Sequence, residues 1–162
     1  SLELNVKVRI EKAGEDDIDV LLKFSKKLNE FERKIYPNYQ EFEKMKDRVE
    51  RFFRKRVNRE DNIFLLAKVD DKAVGMIYGW VVRPFPFFKE EKYGYIAEVW
   101  VEEKFRGRGI GKKLLREIIK WFKEKGIRWI RTDVLQNNKN AIKFYEKFGF
   151  KEFCKYMELW LT

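Results

Sequence analysis

"VEEKFRGRGIGKK", residues 101–113, is the stretch whose reading decides the fold. Three of the chain's 9 glycines, Gly107, Gly109 and Gly111, stand at alternate positions within it. Lys104, Arg106, Arg108, Lys112 and Lys113 surround them, and no acid occurs from 104 to 113. Before it runs "YGYIAEVWV" (93–101), which reads as a long strand. After it comes "KKLLREIIKWFKEK", where Leu114, Leu115, Ile118, Ile119 and Phe122 form an apolar stripe at helical spacing, closed by Gly126. A strand running through a glycine-rich turn into a helix aims several backbone N–H groups at one point. Glycine allows the φ > 0 conformations this needs and the close approach of a ligand. The helix dipole adds positive potential, so phosphate is the natural guest.

The remaining elements are read outward from there. "VKVRI" (6–10) alternates as a short strand, and "GEDDIDVLLKFSKKLNEF" begins with acids where a helix dipole favours them. Its Ile18, Leu21, Leu22, Leu28 and Phe31 share a helical face. "YPN" (36–38) interrupts, and Phe42, Met45, Val49, Phe52 and Phe53 mark a second amphipathic helix. "NIFLLAKV" (62–69) and "AVGMIYGWVV" (73–82) are strands joined through "DDK" in a hairpin. "RPFPFFKEEK" (83–92) is a loop. "IRWIRTDVL" (127–135) is strand-like, "NNKNAIKFYEKF" a short helix, and "GFKEFCKYMELWL" closes with one or two strands. The order βαα-ββ-β-α-β-α-β describes a single mixed α/β domain over residues 1–162.

Composition removes whole chemistries. There is no histidine, so no His base, Ser-His-Asp triad or His-ligated metal is available. Cys154 is the only cysteine and Ser1 and Ser25 the only serines, which leaves no disulfide, thiolate cluster or nucleophile elbow. No metal site is expected. No apolar run approaches the ~20 residues of a membrane span, and the N-terminal stretch lacks a signal peptide's apolar core, which points to the cytoplasm. The net charge is +10, and most of the excess lies after residue 100, together with the glycine stretch. A basic nucleic-acid-binding domain is the rival that charge alone suggests. The basic residues gather at one helix N-terminus, however, and no helix-turn-helix, finger or RNP motif occurs, so no specific nucleic acid is expected.

Two well-known phosphate loops do not fit. A Walker A loop would need glycine at Arg106 and Ser or Thr at Lys113. A dinucleotide-binding G-x-G-x-x-G would need glycine at Lys112. What fits is Arg/Gln-x-x-Gly-x-Gly/Ala directly after a strand: Arg106-Gly107-Arg108-Gly109-Ile110-Gly111. This resembles the acetyl-CoA loop of the GNAT N-acetyltransferase superfamily. "NKNAIKFYEKFGF" (138–150) is similar to that family's Asn-x-x-Ala-x-x-Phe-Tyr-x-x-x-Gly-Phe segment, at the expected distance.

The resemblance implies a largely antiparallel sheet flanked by helices, with parted central strands, and transfer of acetyl from acetyl-CoA to a primary amine. The amine would belong to a small molecule, polyamine or protein. A fold that binds acyl-CoA as a sensor without turnover is the alternative within the family. By the same resemblance, backbone groups of Arg106, Gly107, Arg108, Gly109, Ile110, Gly111 and Lys112 hold the coenzyme phosphates. Val99 and Val101 pair with its pantetheine arm, and Asn138 and Tyr145 lie close to it. Glu98 is the candidate base and Tyr145 the candidate acid. Alternation puts Glu98 on one face with Ile96 and Trp100, where an apolar setting raises a carboxyl pKa. A structural ion pair with Arg128 or Arg131 is the other reading of Glu98, and a core aromatic that of Tyr145. On the acceptor side, Tyr36, Tyr39, Phe85, Phe87, Phe88 and Tyr93, with Glu32, Glu90 and Glu91, suit a cationic amine. The same aromatic loop would equally serve as a packing lid or a homodimer contact.

Overall fold

The computed structural model describes residues 7–162, and its elements follow the apolar pattern closely. They run β1 (Val8–Lys12), α1 (Ile18–Ile35), α2 (Phe42–Arg56), β2 (Asn62–Val69), β3 (Lys72–Val82), β4 (Tyr93–Val101), α3 (Ile110–Glu124), β5 (Ile130–Thr132) and α4 (Lys139–Lys147). Val6, the expected start of the first strand, lies outside the described residues. The strands form one sheet in the order β1-β2-β3-β4-β5. Its first three junctions are antiparallel and the last, β4 to β5, is parallel. The β2–β3 hairpin turns at Asp70 (φ 48°) and Asp71 (φ 64°), the left-handed pair that a tight two-residue turn requires.

Each face of the sheet carries its own core. On one, α1 and α2 bury Ile18, Leu21, Phe24 and Phe53 against Phe64, Leu66, Met76 and Tyr78. On the other, α3 buries Leu114, Leu115, Ile118 and Phe122 against Ile63, Leu65, Ile77 and Ile96. With helices on both sides, β2 can be apolar at consecutive positions, since either face is dry. Full burial of each such side chain contributes roughly 1.5–3 kcal/mol. The α1 stripe sits slightly differently from the expected one. Phe24 and Ser25 are buried, while Phe31 is 36% exposed.

The strand alternation breaks at one place. Tyr78 opposes Glu98 while Gly79 opposes Ile96, so Ala97 is an extra residue on β4, a β-bulge. Ile96 stays with the α3 core, whereas Ala97 and Trp100 pack with the α1/α2 core. The expectation that Glu98 shares a face with Ile96 is therefore corrected, because the inserted residue resets the period. Pairing of β4 with β5 covers Gly94–Ile130, Tyr95–Arg131 and Ile96–Thr132, and stops just short of the bulge. Beyond Ile96 the two strands part. This is why the strand expected over 127–135 is reduced to Ile130–Thr132: its later residues have no ladder to join. No strand forms over 151–162 either, contrary to expectation, since no residue of that segment finds a ladder partner in the chain.

Gly79 makes the bulge possible, because a Cβ there would overlap the carbonyl oxygen of Tyr95. Gly79→Ala should destabilise the protein by about 1–3 kcal/mol in urea denaturation, as overpacking does. Gly14→Ala, whose Cβ would meet nothing within 4 Å, should leave the midpoint nearly unchanged.

Candidate active site

The loop between β4 and α3 turns on two left-handed glycines, Gly107 (φ 76°) and Gly109 (φ 79°), and Gly109 is the N-cap of α3. A Cβ on either would meet nothing within 4 Å, so glycine is needed there for its backbone conformation and for open access. Among the described residues, no backbone N–H from Gly107 to Lys112 donates to another backbone group. No acid occupies the first turn of α3. The loop thus presents unpaired donors and a positive helix end to one point, the setting that suits phosphate. Ile110 roots the turn in the core, and Gly111 lies beneath the Phe144 ring. The Arg106 guanidinium stacks on Trp100 at 4.6 Å, and its Nε donates to the Val101 carbonyl at 2.9 Å. Arg108 lies over Phe105 at 5.3 Å. Lys112 borders a shallow basic pocket with Arg116, Lys147 and Phe148.

The exposed edge of β4 begins at the same place. Glu102 N–H donates to Val74 O on the β3 side. By alternation, the backbone groups of Val101 and Val99 point the other way, into the gap left by β5. Thr132 closes the narrow end of that gap, its hydroxyl donating to Ile96 O at 3.0 Å.

Glu98 stands one step past the bulge, half-buried on the α1/α2 side. The hydroxyls of Ser25 (3.0 Å) and Tyr78 both donate to its Oε1. Oε2 has no partner among the described residues and is not sealed from solvent. Burial pushes the carboxyl up to about 7, and the two hydroxyls, which favour the charged form, only partly oppose this. The ion-pair reading is not realised. Arg128 pairs with Glu90 at 3.7 Å, and Arg131 lies over Tyr93 (4.7 Å) and Phe153 (5.0 Å).

Tyr145, on α4, is 6% exposed and packs edge-on against Phe144 and Phe150, each at 5.2 Å. Burial pushes its phenol up to about 12, with the nearby Thr132 side chain acting in the opposite direction. Its hydroxyl therefore sits beside the residue that closes the fork. It is a core aromatic whose hydroxyl lies near Thr132. Asn138 is the N-cap of α4, with its side-chain oxygen accepting from Ala141 N at 3.2 Å. Only its amide NH₂ remains available for a ligand.

On the α1/α2 side of the gap, burial raises the Glu32 carboxyl. Tyr36 and Tyr39 meet edge to face at 5.1 Å, and Tyr95 donates to Asp133 at 2.9 Å. Phe85 and Phe87 point outward, while Phe88 and Tyr93 pack on Trp129. Sequence reading missed Tyr78, Ser25, Thr132 and Asp133. A phenol in the otherwise apolar "AVGMIYGWVV" and a serine within the buried stripe of α1 were the available signals. Among the described residues, no group of three or more His, Cys, Asp or Glu could hold a metal ion, and no helix is long and apolar enough to cross a membrane.

Comparison with known proteins adds an independent line. Residues 26–150 match the profile of the Acetyltransferase (GNAT) family. An uncharacterized N-acetyltransferase of Methanocaldococcus jannaschii is 29% identical over 147 residues, which is 88% of this chain; the chain spans only 60% of that relative's length. An N-alpha-acetyltransferase of Sulfurisphaera tokodaii is 32% identical over 106 residues, 62% of this chain and 64% of the relative. An aminoglycoside N-acetyltransferase solved in complex with CoA superposes with a TM-score of 0.76 over 97% of this chain and 96% of that one. At 15% identity, that last likeness is one of fold.

Because the folded pKa of Glu98 lies above its ordinary value, the folded state holds this proton more tightly than the unfolded state does. Its contribution to stability should be full below about 4.5 and be lost as pH rises towards about 7. Glu98→Gln should flatten the stability–pH curve across that window in urea titrations. Tyr78→Phe, which removes a donor to the carboxylate, should move the Glu98 titration seen by carbon-13 NMR still higher.

Proposed function

The chain belongs to the GNAT acetyltransferase family, and from that premise we propose that it acetylates a primary amine on a cationic small molecule or an exposed protein amine, with acetyl-CoA as the donor. The observation that carries this reading is Glu98: a carboxyl poised near neutrality with one free oxygen, beside the gap between β4 and β5. Bound acetyl-CoA would supply the activated acetyl thioester. The residues fit such a donor, since the unpaired N–H groups from Gly107 to Lys112 suit its pyrophosphate. The Lys112–Arg116–Lys147 pocket beside them suits a further phosphate. The free edge at Val99 and Val101 offers backbone partners to an extended amide-bearing arm, and Asn138 adds its NH₂.

Each remaining role follows from the state of a side chain. An alkylammonium with a reference pKa near ~10.4 is almost wholly charged at pH 7, so the incoming amine needs help to lose its proton. Oε2 of Glu98 accepts that proton, directly or through water, while Oε1 stays fixed by Ser25 and Tyr78. Negative charge developing on the acetyl oxygen is met by an open N–H of β4 in the gap. Tyr145, held protonated by burial, donates a hydrogen bond to the departing sulfur. Its pKa of about 12 stands above the roughly 8.5 of an ordinary thiol. It therefore stabilises the thiolate mainly as a donor, and the proton itself can come from solvent. Glu32 and Asp133, with Tyr36 and Tyr39, hold the cationic body of the acceptor.

A panel of polyamines, aminoglycosides, amino acids and peptide N-termini, incubated with acetyl-CoA and followed by thiol release, tests the reaction class and the acceptor together. At least one amine should turn over; release no faster than buffer across the panel would leave a sensor as the better reading. With an active amine in hand, Glu98→Gln should lower kcat/KM by about 10²–10⁴-fold near neutral pH, the usual worth of a general base. Activity should recover as pH approaches the amine's own pKa.

Tyr145→Phe keeps the ring but removes the donor. A hydrogen bond to a charged group contributes about 1.5–3 kcal/mol, so kcat should fall roughly 10- to 100-fold with coenzyme affinity little changed. Unchanged kcat, with chemistry shown to limit the rate, would leave Tyr145 a core aromatic alone.

A further inference from the structure

The outward face of α2 carries a row of cations that the fold does not use. Lys44, Arg48, Arg51 and Lys55 recur at intervals of four, three and four residues, which sets them one above another on a single helical stripe. All are exposed, and among the described residues none joins an ion pair or lies over an aromatic ring. Neighbouring charges are used. Arg54 pairs with Glu50 at 3.4 Å, and Lys26 with Glu43 at 3.0 Å. Arg56 is held between the Phe52 and Trp80 rings at 4.6 and 4.4 Å.

Helix stability does not account for the row. Lys55 lies in the last turn of α2, where the helix dipole favours a cation, but Lys44 lies in the first, where the dipole opposes one. Lys44 with Arg48, and Arg51 with Lys55, are like-charge pairs one turn apart, which weaken a helix. An anion lying along the row would relieve both costs.

We propose that this stripe binds the phosphate backbone of a nucleic-acid duplex without reading its sequence. At 1.5 Å per residue the row is about 16 Å long, and a duplex presents roughly ten phosphate charges over that distance. The surroundings of the stripe select among anions. A single strand gains its hold from stacking on aromatic rings, but Phe42 and Phe53 are buried and Phe52 lies under Arg56. A lipid surface takes up apolar side chains beside the basic ones, whereas Met45, Val49 and Phe52 pack into the core beneath α2. Glu43, Asp47 and Glu50 form an acidic row alongside, which suits a narrow line of anions better than a broad sheet of them. The stripe contains none of the residues assigned to acetyl transfer, so the proposal is independent of that reading.

Fluorescence anisotropy with a labelled, mixed-sequence DNA duplex of about 20 base pairs tests it. Affinity should weaken about 10²-fold between roughly 50 and 200 mM salt, the response expected of four phosphate contacts. Arg48→Ala combined with Arg51→Ala should lower affinity about tenfold or more at the lower salt and reduce the salt slope by about 2. Lys44→Gln combined with Lys55→Gln, at the two ends of the row, should act in the same way. Circular dichroism spectra of both variants should match the parent's, since no tertiary contact is removed. Saturating coenzyme A should leave the duplex bound, which separates the stripe from the basic loop at 104–113. No duplex binding at the lower salt, unaltered affinity in both folded variants, or displacement by coenzyme A would each overturn the proposal. So would phosphatidylserine vesicles captured through these same residues by a protein that does not hold the duplex.

Discussion

The parting of β4 from β5 is the constraint on which the rest of this structure depends. β4 is paired along its length with β3, but with β5 over only three residues. The bulge at Ala97 lies immediately after the last of these. An extra residue in one strand increases local twist and bends it away from its neighbour. Gly79 permits this by letting β3 approach the Tyr95 carbonyl where any Cβ would collide. One inserted residue thus opens the gap, leaves the backbone groups of Val99 and the N–H of Val101 without a strand partner, and turns Glu98 towards α1.

The same break sorts the polar chemistry onto separate sides of the sheet. The basic loop and the N-terminus of α3 lie at the end of β4, next to the α3 core. Glu98, Glu32 and the tyrosines lie on the α1/α2 side. An anionic ligand and a cationic one can therefore approach from different directions and meet at the gap. The half-buried position of Glu98 matters here, because desolvation, with a smaller push from the Glu32 carboxylate, brings its carboxyl from the ordinary range to near neutrality. The hydroxyls of Ser25 and Tyr78 limit the shift and fix the oxygen they bind. That leaves the other oxygen without a partner among the described residues.

Burial on both faces also explains the division of labour among aromatic residues. Phe24, Phe53 and Phe64 fill the core beneath α1 and α2, with Tyr78 stacked on Phe64 at 4.7 Å. Tyr145 and Tyr78 are core residues whose hydroxyls nonetheless have polar neighbours, Thr132 for Tyr145 and Glu98 for Tyr78. Their packing holds the hydroxyls in place, which is what a positioned donor requires.

Read alone, the amino-acid sequence settled the features that depend on neighbouring residues. A left-handed turn announces itself as glycine, an amphipathic helix as a 3.6-residue stripe, and a tight hairpin as Asp70-Asp71, because each is a property of a few consecutive φ, ψ pairs. The elements from β2 to α3 and the family resemblance were legible for that reason. Features set by pairing between distant strands were not legible. Strict alternation put Glu98 beside Ile96, and only the register against β3 revealed the extra residue. The partners Ser25 and Tyr78 come from positions 73 and 20 residues away, brought together by the sheet and α1. The reduced length of β5 and the unpaired 151–162 segment have the same origin. A strand's sequence states its wish to pair, but whether an edge lies within reach is decided by the tertiary structure.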